Sequence, residues 1–273
     1  MSAGIDQEGV QAIQTELKRM LRALNEIATG SRRRYFLAYG TALGVSRDGG
    51  LIPWDVDVDV WVPVEDYDEL CRQLKALLPP DLQLLEPTDA GYEYLFARIA
   101  PRDVDHKLVH LDLFPLSGAP RTLVAQRLYA LSVRLLCQSY LLRRIRLHEK
   151  RHYSATKRLL AQILMFSLRP VPDSVIRRGF MRIVAAQSGS KATLTNPCGA
   201  YGRREVFATH LFDDTTMVRS MGMTLPLAGG NDEILRQIYG EDLSPPPSSE
   251  QARQLLHITD YFVRPLRSHG WLT

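Results

Sequence analysis

Residues 52–62 read IPWDVDVDVWV, and no other stretch restricts the fold of this chain as much. Asp55, Asp57 and Asp59 alternate with Val56, Val58 and Val60. In an extended strand alternate side chains share a face, so the valines define one side and the aspartates the other. Asp is a poor strand former, and carboxylates aligned on one face repel each other. The valine face therefore calls for a core and the aspartate face for a cation. At roughly 3.3 Å of rise per residue, Asp57 and Asp59 stand about 7 Å apart. Paired metal ions in phosphoryl-transfer sites lie about 3.5–4 Å apart, so two such ions fit between these carboxylates. Mg2+ takes oxygen ligands and keeps waters and substrate phosphates in its shell. Asp55, directly after Trp54 at the start of the strand, either joins the ligands or orients the loop.

A third acid comes from elsewhere. In LVHLDLFPL (108–116) Asp112 interrupts an apolar strand, with His110 and Phe114 on its face. His110 reads as packing or as support for the acid rather than as a general base. Upstream, Gly40-Thr41 sits between an apolar strand and a helix start, where a glycine lets backbone N–H groups approach a phosphate closely. Arg47 is a cationic clamp for the same phosphates.

The chain around these motifs is that of a globular protein. It has 273 residues, 45% hydrophobic and 23% charged, enough for a large core. Cys71, Cys137 and Cys198 are far apart with no C-x-x-C spacing, which argues against a disulfide framework and a zinc site and fits a reducing compartment. The opening MSAGIDQEGVQAIQ lacks the order of a signal peptide. No apolar run reaches the roughly 18 residues of a membrane span. The expectation is a cytoplasmic protein. Its charge of +4 hides an asymmetry: residues 121–191 hold 15 Lys and Arg against Glu149 and Asp173, a local +13 that leaves −9 elsewhere.

Apolar spacing predicts a helix over 5–29, a second opening after Pro63, and strands at 82–85, 92–100 and 107–116. Residues 121–190 turn Leu- and Arg-rich and helical. The remainder is loop-rich until a last helix, SEQARQLLHITDYF. The division expected is a catalytic core over 1–120, a basic helical insertion over 121–190, and a return to the catalytic domain over 191–273.

The stretch GTALGVSRDGGLIPWDVDVDVWV resembles the signature of the LicD family of phosphocholine transferases and fukutin-like ribitol-phosphate transferases. Gly40, Thr41, Leu43, Gly44, Arg47, Gly50, Ile52, Pro53, Trp54, Asp55, Asp57 and Asp59 carry the likeness. Val56 departs from it, since the family usually has an Asp there, but that side chain points to the opposite face. HLDLFPL (110–116) resembles the family's D-x-F-P-L element, and RREV (203–206) and residues 225–247 resemble its C-terminal stretch.

The resemblance implies an α+β fold, a nucleotidyltransferase-like mixed sheet flanked by helices. It implies Mg2+ or Mn2+, two ions, on Asp57, Asp59 and Asp112, with Asp55 a further candidate. Gly40, Thr41, Arg47 and Trp54 would bind the substrate phosphates and the transferred group. The implied partners are a CDP-linked alcohol donor such as CDP-choline and a glycan or lipid-linked glycan acceptor of the cell surface, lipopolysaccharide or teichoic acid. Trp54, Trp61, Tyr92 and Tyr94 are candidate walls for a choline headgroup. The basic middle, 121–191, reads either as a solvated helical surface or as a peripheral contact with an anionic membrane; no nucleic acid is expected. Two other functions stay open: a nucleotidyltransferase adding NMP to a small molecule or protein, and a non-catalytic scaffold associated with glycan or membrane.

Overall fold

The computed structural model describes residues 5–143, 171–187 and 193–272. The parts of the basic insertion at 144–170 and 188–192 lie outside the described residues. The chain is α+β and gathers into two compact units, one of 1–84, 98–114 and 210–273, the other of 85–97 and 115–209.

The first unit opens with α1 (Gln7–Ser31). The Asp6 side chain caps it by accepting from the Gly9 amide at 2.9 Å. Val10, Ile13, Leu17, Leu21 and Leu24 recur on one face and are all buried. Each such side chain contributes about 1.5–3 kcal/mol on leaving water. Arg32 then adopts a left-handed conformation (φ 55°) and its amide closes the helix on Ala28 and Thr29.

Next come β1 (Phe36–Leu37), α2 (Tyr39–Arg47), β2 (Asp57–Pro63) and α3 (Val64–Leu77). Strands β1 and β2 are antiparallel, with Phe36 opposite Trp61 and Leu37 opposite Val60. Helix α3 starts where Pro63 allows, with Glu65 and Asp66 in its first turn, where the helix dipole favours acids. Arg33 and Arg34, from the basic turn after α1, bind the buried Asp66 carboxylate at 3.2 and 3.0 Å.

The strands β3 (Leu82–Leu85), β4 (Ala97–Pro101) and β5 (His110–Gly118) follow, and the sheet order is β1-β2-β5-β4-β3. Residues 92–96, expected as strand, are not: Tyr92 meets Tyr94 edge to face at 5.7 Å, Tyr94 meets Phe96 at a tilt at 5.1 Å, and pairing begins at Ala97. The second unit adds α4 (Leu123–Leu142) and α5 (Asp173–Ala185), packed through Val133, Tyr140, Ile176, Phe180 and Val184. It also holds β6 (Thr193–Thr195) and β7 (Val206–Ala208); β6 pairs with Ser117 and Gly118 of β5.

The end of the chain returns to the first unit. The expectation of loops is corrected here by a hairpin, β8 (Thr215–Ser220) and β9 (Met223–Ala228), turning at Met221-Gly222 with both φ positive. Helices α6 (Asn231–Tyr239) and α7 (Ser248–Ile258) precede a π turn (Thr259–Val263) and α8 (Arg264–Ser268). A Cβ on Gly9 would stand 2.1 Å from Val263 Cγ1, so glycine is what lets the π turn lie against α1.

Candidate active site

The alternation in β2 holds where the acids are and ends after them. Val58, Val60 and Val62 are fully buried, and Asp57 and Asp59 are half-exposed. Trp61 continues the aspartate face but is 1% exposed. Its ring meets Tyr39 at 5.0 Å and Phe212 at 5.9 Å, edge to face. The acid face is thus closed by aromatics at one end. Trp61 and Tyr92 are core residues and line no open headgroup cage, while Trp54 and Tyr94 keep part of their surface exposed.

Strand β5 lies beside β2, and its residues of one parity fall next to the acids. His110 Nε2 is 4.0 Å from Asp57 Oδ2 and 4.0 Å from Asp112 Oδ2. Phe114 reaches Tyr39 at 5.8 Å. Strand β4 adds a residue that the sequence reading did not select. Arg98, 3% exposed, grips Asp112 with two bonds, Nε to Oδ1 at 2.5 Å and Nη2 to Oδ2 at 2.9 Å. Its Nη1 donates to the His106 carbonyl at 2.9 Å. The one sign of it in the sequence is an arginine inside the apolar run LFARIA.

The Gly-Thr element works on the acids themselves. A Cβ at Gly40 would sit 2.9 Å from Asp55 Oδ2, so glycine gives that carboxylate its place. The Thr41 hydroxyl, 1% exposed, accepts the Asp59 amide at 2.9 Å and fixes β2 to the first turn of α2. Gly44 is needed for a different reason, because a Cβ there would meet the Gly50 carbonyl at 2.5 Å and the Ile52 nitrogen at 2.8 Å. The IPWD loop thereby packs on α2, and from the other side Gln14 Nε2 donates to the carbonyls of Ile52 and Asp55 at 2.8 and 3.1 Å. Tyr39, just before Gly40, sits at φ 46°. Such a conformation costs a residue with a side chain of order 1–3 kcal/mol, and its two aromatic contacts hold it. Arg47 is placed against Asp48 at 2.8 and 2.7 Å and against the Leu243 carbonyl at 3.1 Å.

Electrostatics follow from this crowding. Burial, then the charge of Asp57 and a hydrogen bond to it, pushes the Asp55 carboxyl well above the ordinary range. Asp59 is raised likewise by burial and by Asp57, Asp112 and Asp55, with Arg98 opposing. Burial lowers His110, with the charges of Asp112 and Asp57 opposing, while its Nδ1 is buried without a hydrogen-bond partner among the described residues. These acids are short of positive charge, and carboxylate oxygens are the donors Mg2+ and Mn2+ take. Among the described residues no group of three or more His, Cys, Asp or Glu already stands at metal-holding geometry. Magnesium does not need one, since it is usually held by one or two carboxylates together with substrate phosphates.

The α+β sheet thus presents a crowded carboxylate cluster beside the glycine-threonine start of α2. Residues 32–127 match the family model LicD/FKTN/FKRP, nucleotidyltransferase domain. The chain is similar to the ribitol 5-phosphate transferase FKRP of Mus musculus and of Homo sapiens, each 42% identical over 62 residues. That likeness covers 20% of this chain and 12% of each relative. The resemblance at 203–206 and 225–247 lies outside the matched segment.

Proposed function

We propose that the chain is a metal-dependent phosphotransferase, moving a phospho-alcohol from a CDP-linked donor to a sugar hydroxyl of a cell-surface glycan or its precursor. The observation that carries this reading is the cluster of Asp55, Asp57, Asp59 and Asp112, in which burial and then mutual repulsion raise the proton affinity of Asp55 and Asp59. The family match and the ribitol 5-phosphate transferase relatives support the reaction class. The core is read as nucleotidyltransferase-like, with the basic stretch inserted into it. The protein is read as cytoplasmic, with peripheral contact at the inner membrane face. Among the described residues no helix is long and apolar enough to cross a membrane.

In this reading Asp57, Asp59 and Asp112 hold Mg2+ or Mn2+. The bound metal would supply positive charge to the donor diphosphate and would acidify the acceptor hydroxyl. The new bond joins the acceptor oxygen to the donor phosphorus that bears the alcohol, and the bond to CMP breaks. The chain's own groups prepare that exchange. Arg98 fixes the Asp112 carboxylate so that its free lone pairs keep one direction. Thr41 holds Asp59 through its amide. The first-turn amides of α2, which no side chain caps, suit a phosphate oxygen. Arg47, oriented by Asp48, would offer its remaining N–H donors to a phosphate.

The test is a thermal-shift and CMP-release panel with Mg2+ or Mn2+, comparing CDP-choline, CDP-ribitol, CDP-glycerol and plain nucleoside triphosphates, with Asp57→Asn as control. A metal-dependent shift with one CDP-alcohol, accompanied by CMP release and absent in the variant, is expected. Pyrophosphate release from a triphosphate would replace this reading with NMP transfer, and no response to any donor would leave the scaffold.

A further inference from the structure

The second unit contains a cavity of about 500 Å³ that the acid chemistry does not use. The segment around Glu86–Thr88, Leu95 and one side of α5 form its wall. The lining has two characters. Leu95 and Phe180 are buried core side chains, and Met181 and Ala185 extend the same apolar surface outward. Arg177, Arg178 and Arg182 also line it, against Glu86 as the one acid among the described lining residues.

Two of these arginines are held through a guanidinium nitrogen on a backbone carbonyl. Arg177 Nη1 donates to the Pro87 carbonyl at 3.0 Å and Arg178 Nε to the Ser174 carbonyl at 3.1 Å. Each guanidinium has five N–H donors, so such bonds orient the group and leave donors for a ligand. Arg178 and Arg182 are four residues apart and share a face of α5. A pocket half apolar and half guanidinium fits an amphiphile with an anionic, oxygen-rich head.

The neighbouring helix decides between a free anion and a lipid. Helix α4 packs on α5. It exposes Val124 (68%), Leu128 (61%), Leu131 (65%) and Leu135 (53%), spaced as one helical face with Arg127 and Arg134 close by. An exposed apolar stripe flanked by arginines is the pattern of a helix lying in a membrane interface. A pocket for a soluble phosphate has no use for such a stripe.

We propose that the α5 cavity seats a long-chain lipid phosphate, its chain against Leu95, Phe180 and Met181 and its phosphate on Arg177, Arg178 and Arg182, while the α4 stripe rests on the bilayer. This deepens the transferase reading, on which its purpose rests, by making the acceptor lipid-linked; the binding itself is testable alone. The experiment is calorimetric titration of the full chain with dodecyl phosphate below its micelle concentration. Inorganic phosphate and the uncharged dodecyl maltoside serve as comparison probes. Arg178→Gln/Arg182→Gln and Met181→Glu are the variants, all three positions being exposed.

The wild type is expected to bind dodecyl phosphate saturably and well above either probe. Loss of each arginine should weaken it roughly tenfold, the worth of one charge-assisted hydrogen bond, and Met181→Glu should weaken it as well. Equal binding of dodecyl maltoside or of inorganic phosphate, no binding at all, or unchanged binding by the double arginine variant would overturn the proposal. CMP release from the CDP-alcohols, measured on the same proteins with a sugar linked to dodecyl phosphate as acceptor, separates the two readings. Its presence without lipid-phosphate binding removes the pocket alone, and its absence with binding intact removes the transferase alone.

Discussion

Gly40 and Thr41 illustrate how a short motif acts through single atoms. The sequence points them at phosphates, and the structure adds that Gly40 gives room to the Asp55 carboxylate and Thr41 holds the Asp59 amide. In Gly40→Ala the new Cβ meets only the end of the Asp55 side chain, which can swing aside. The expected outcome is a melting temperature close to wild type with transfer reduced roughly tenfold or more, by analogy with residues that orient metal ligands. Unchanged turnover in a folded Gly40→Ala would show that the Asp55 position does not matter. Asp59→Asn acts in two directions at once. It removes a charge that its surroundings and three neighbouring carboxylates disfavour, so the metal-free protein should melt a few degrees higher, the size of a change of about 1 kcal/mol. It also removes a candidate ligand, so transfer should fall by at least about a hundredfold, and Mg2+ should no longer raise the melting temperature as it does for wild type. A variant that melts lower without metal would contradict the repulsion argument.

At the scale of elements, period and punctuation made part of the fold legible. Apolar spacing marked α1, Pro63 and its acidic turn marked α3, and strict alternation marked β2. Asp112 and His110 were placed on one face of β5 by parity alone, and that is where they stand. The hairpin β8–β9 was missed because its turn is Met221-Gly222. A two-residue turn with both φ positive is usually announced by Asn-Gly or Asp-Gly, and Met carries no such signal. Arg98 was missed because a pairing across strands has no local mark, and only the sheet brings β4 to Asp112. That pair gives the prediction for this scale. In Arg98→Met the Asp112 carboxylate loses both bonds while staying buried, and breaking one side of a buried pair costs about 3–5 kcal/mol. Urea unfolding should read that loss. A change below about 1 kcal/mol, the level of an exposed pair, would mean that the pair does not join β4 to β5.

At the scale of the chain, the first unit is built from stretches distant in sequence, and its two ends meet. The Asp6 amide donates to Thr259 Oγ1 at 3.0 Å, and its carboxylate takes two bonds from Arg267 at 2.6 and 3.0 Å. Neither residue marks the other, since they are 261 positions apart. The Arg267 hydrogen bond holds the Asp6 carboxyl below its ordinary value, with the Gly9 amide and the charge of Arg267 helping and burial opposing. An unfolded Asp titrates near about 3.9, so between the folded value and that one the unfolded chain binds more protons and stability rises with pH. The contribution is complete above the unfolded value and is lost as pH falls through the folded one. Asp6→Asn isolates it, because Asn still caps α1 but brings no charge to Arg267. The variant should be less stable than wild type at neutral pH, by a small amount for a partly exposed pair, and the gap should close in acid. Thermal unfolding of both proteins from neutral pH down to about 3 would read it. A gap that stays constant through that range would assign the stabilisation to capping and packing rather than to the charge that ties the two ends together.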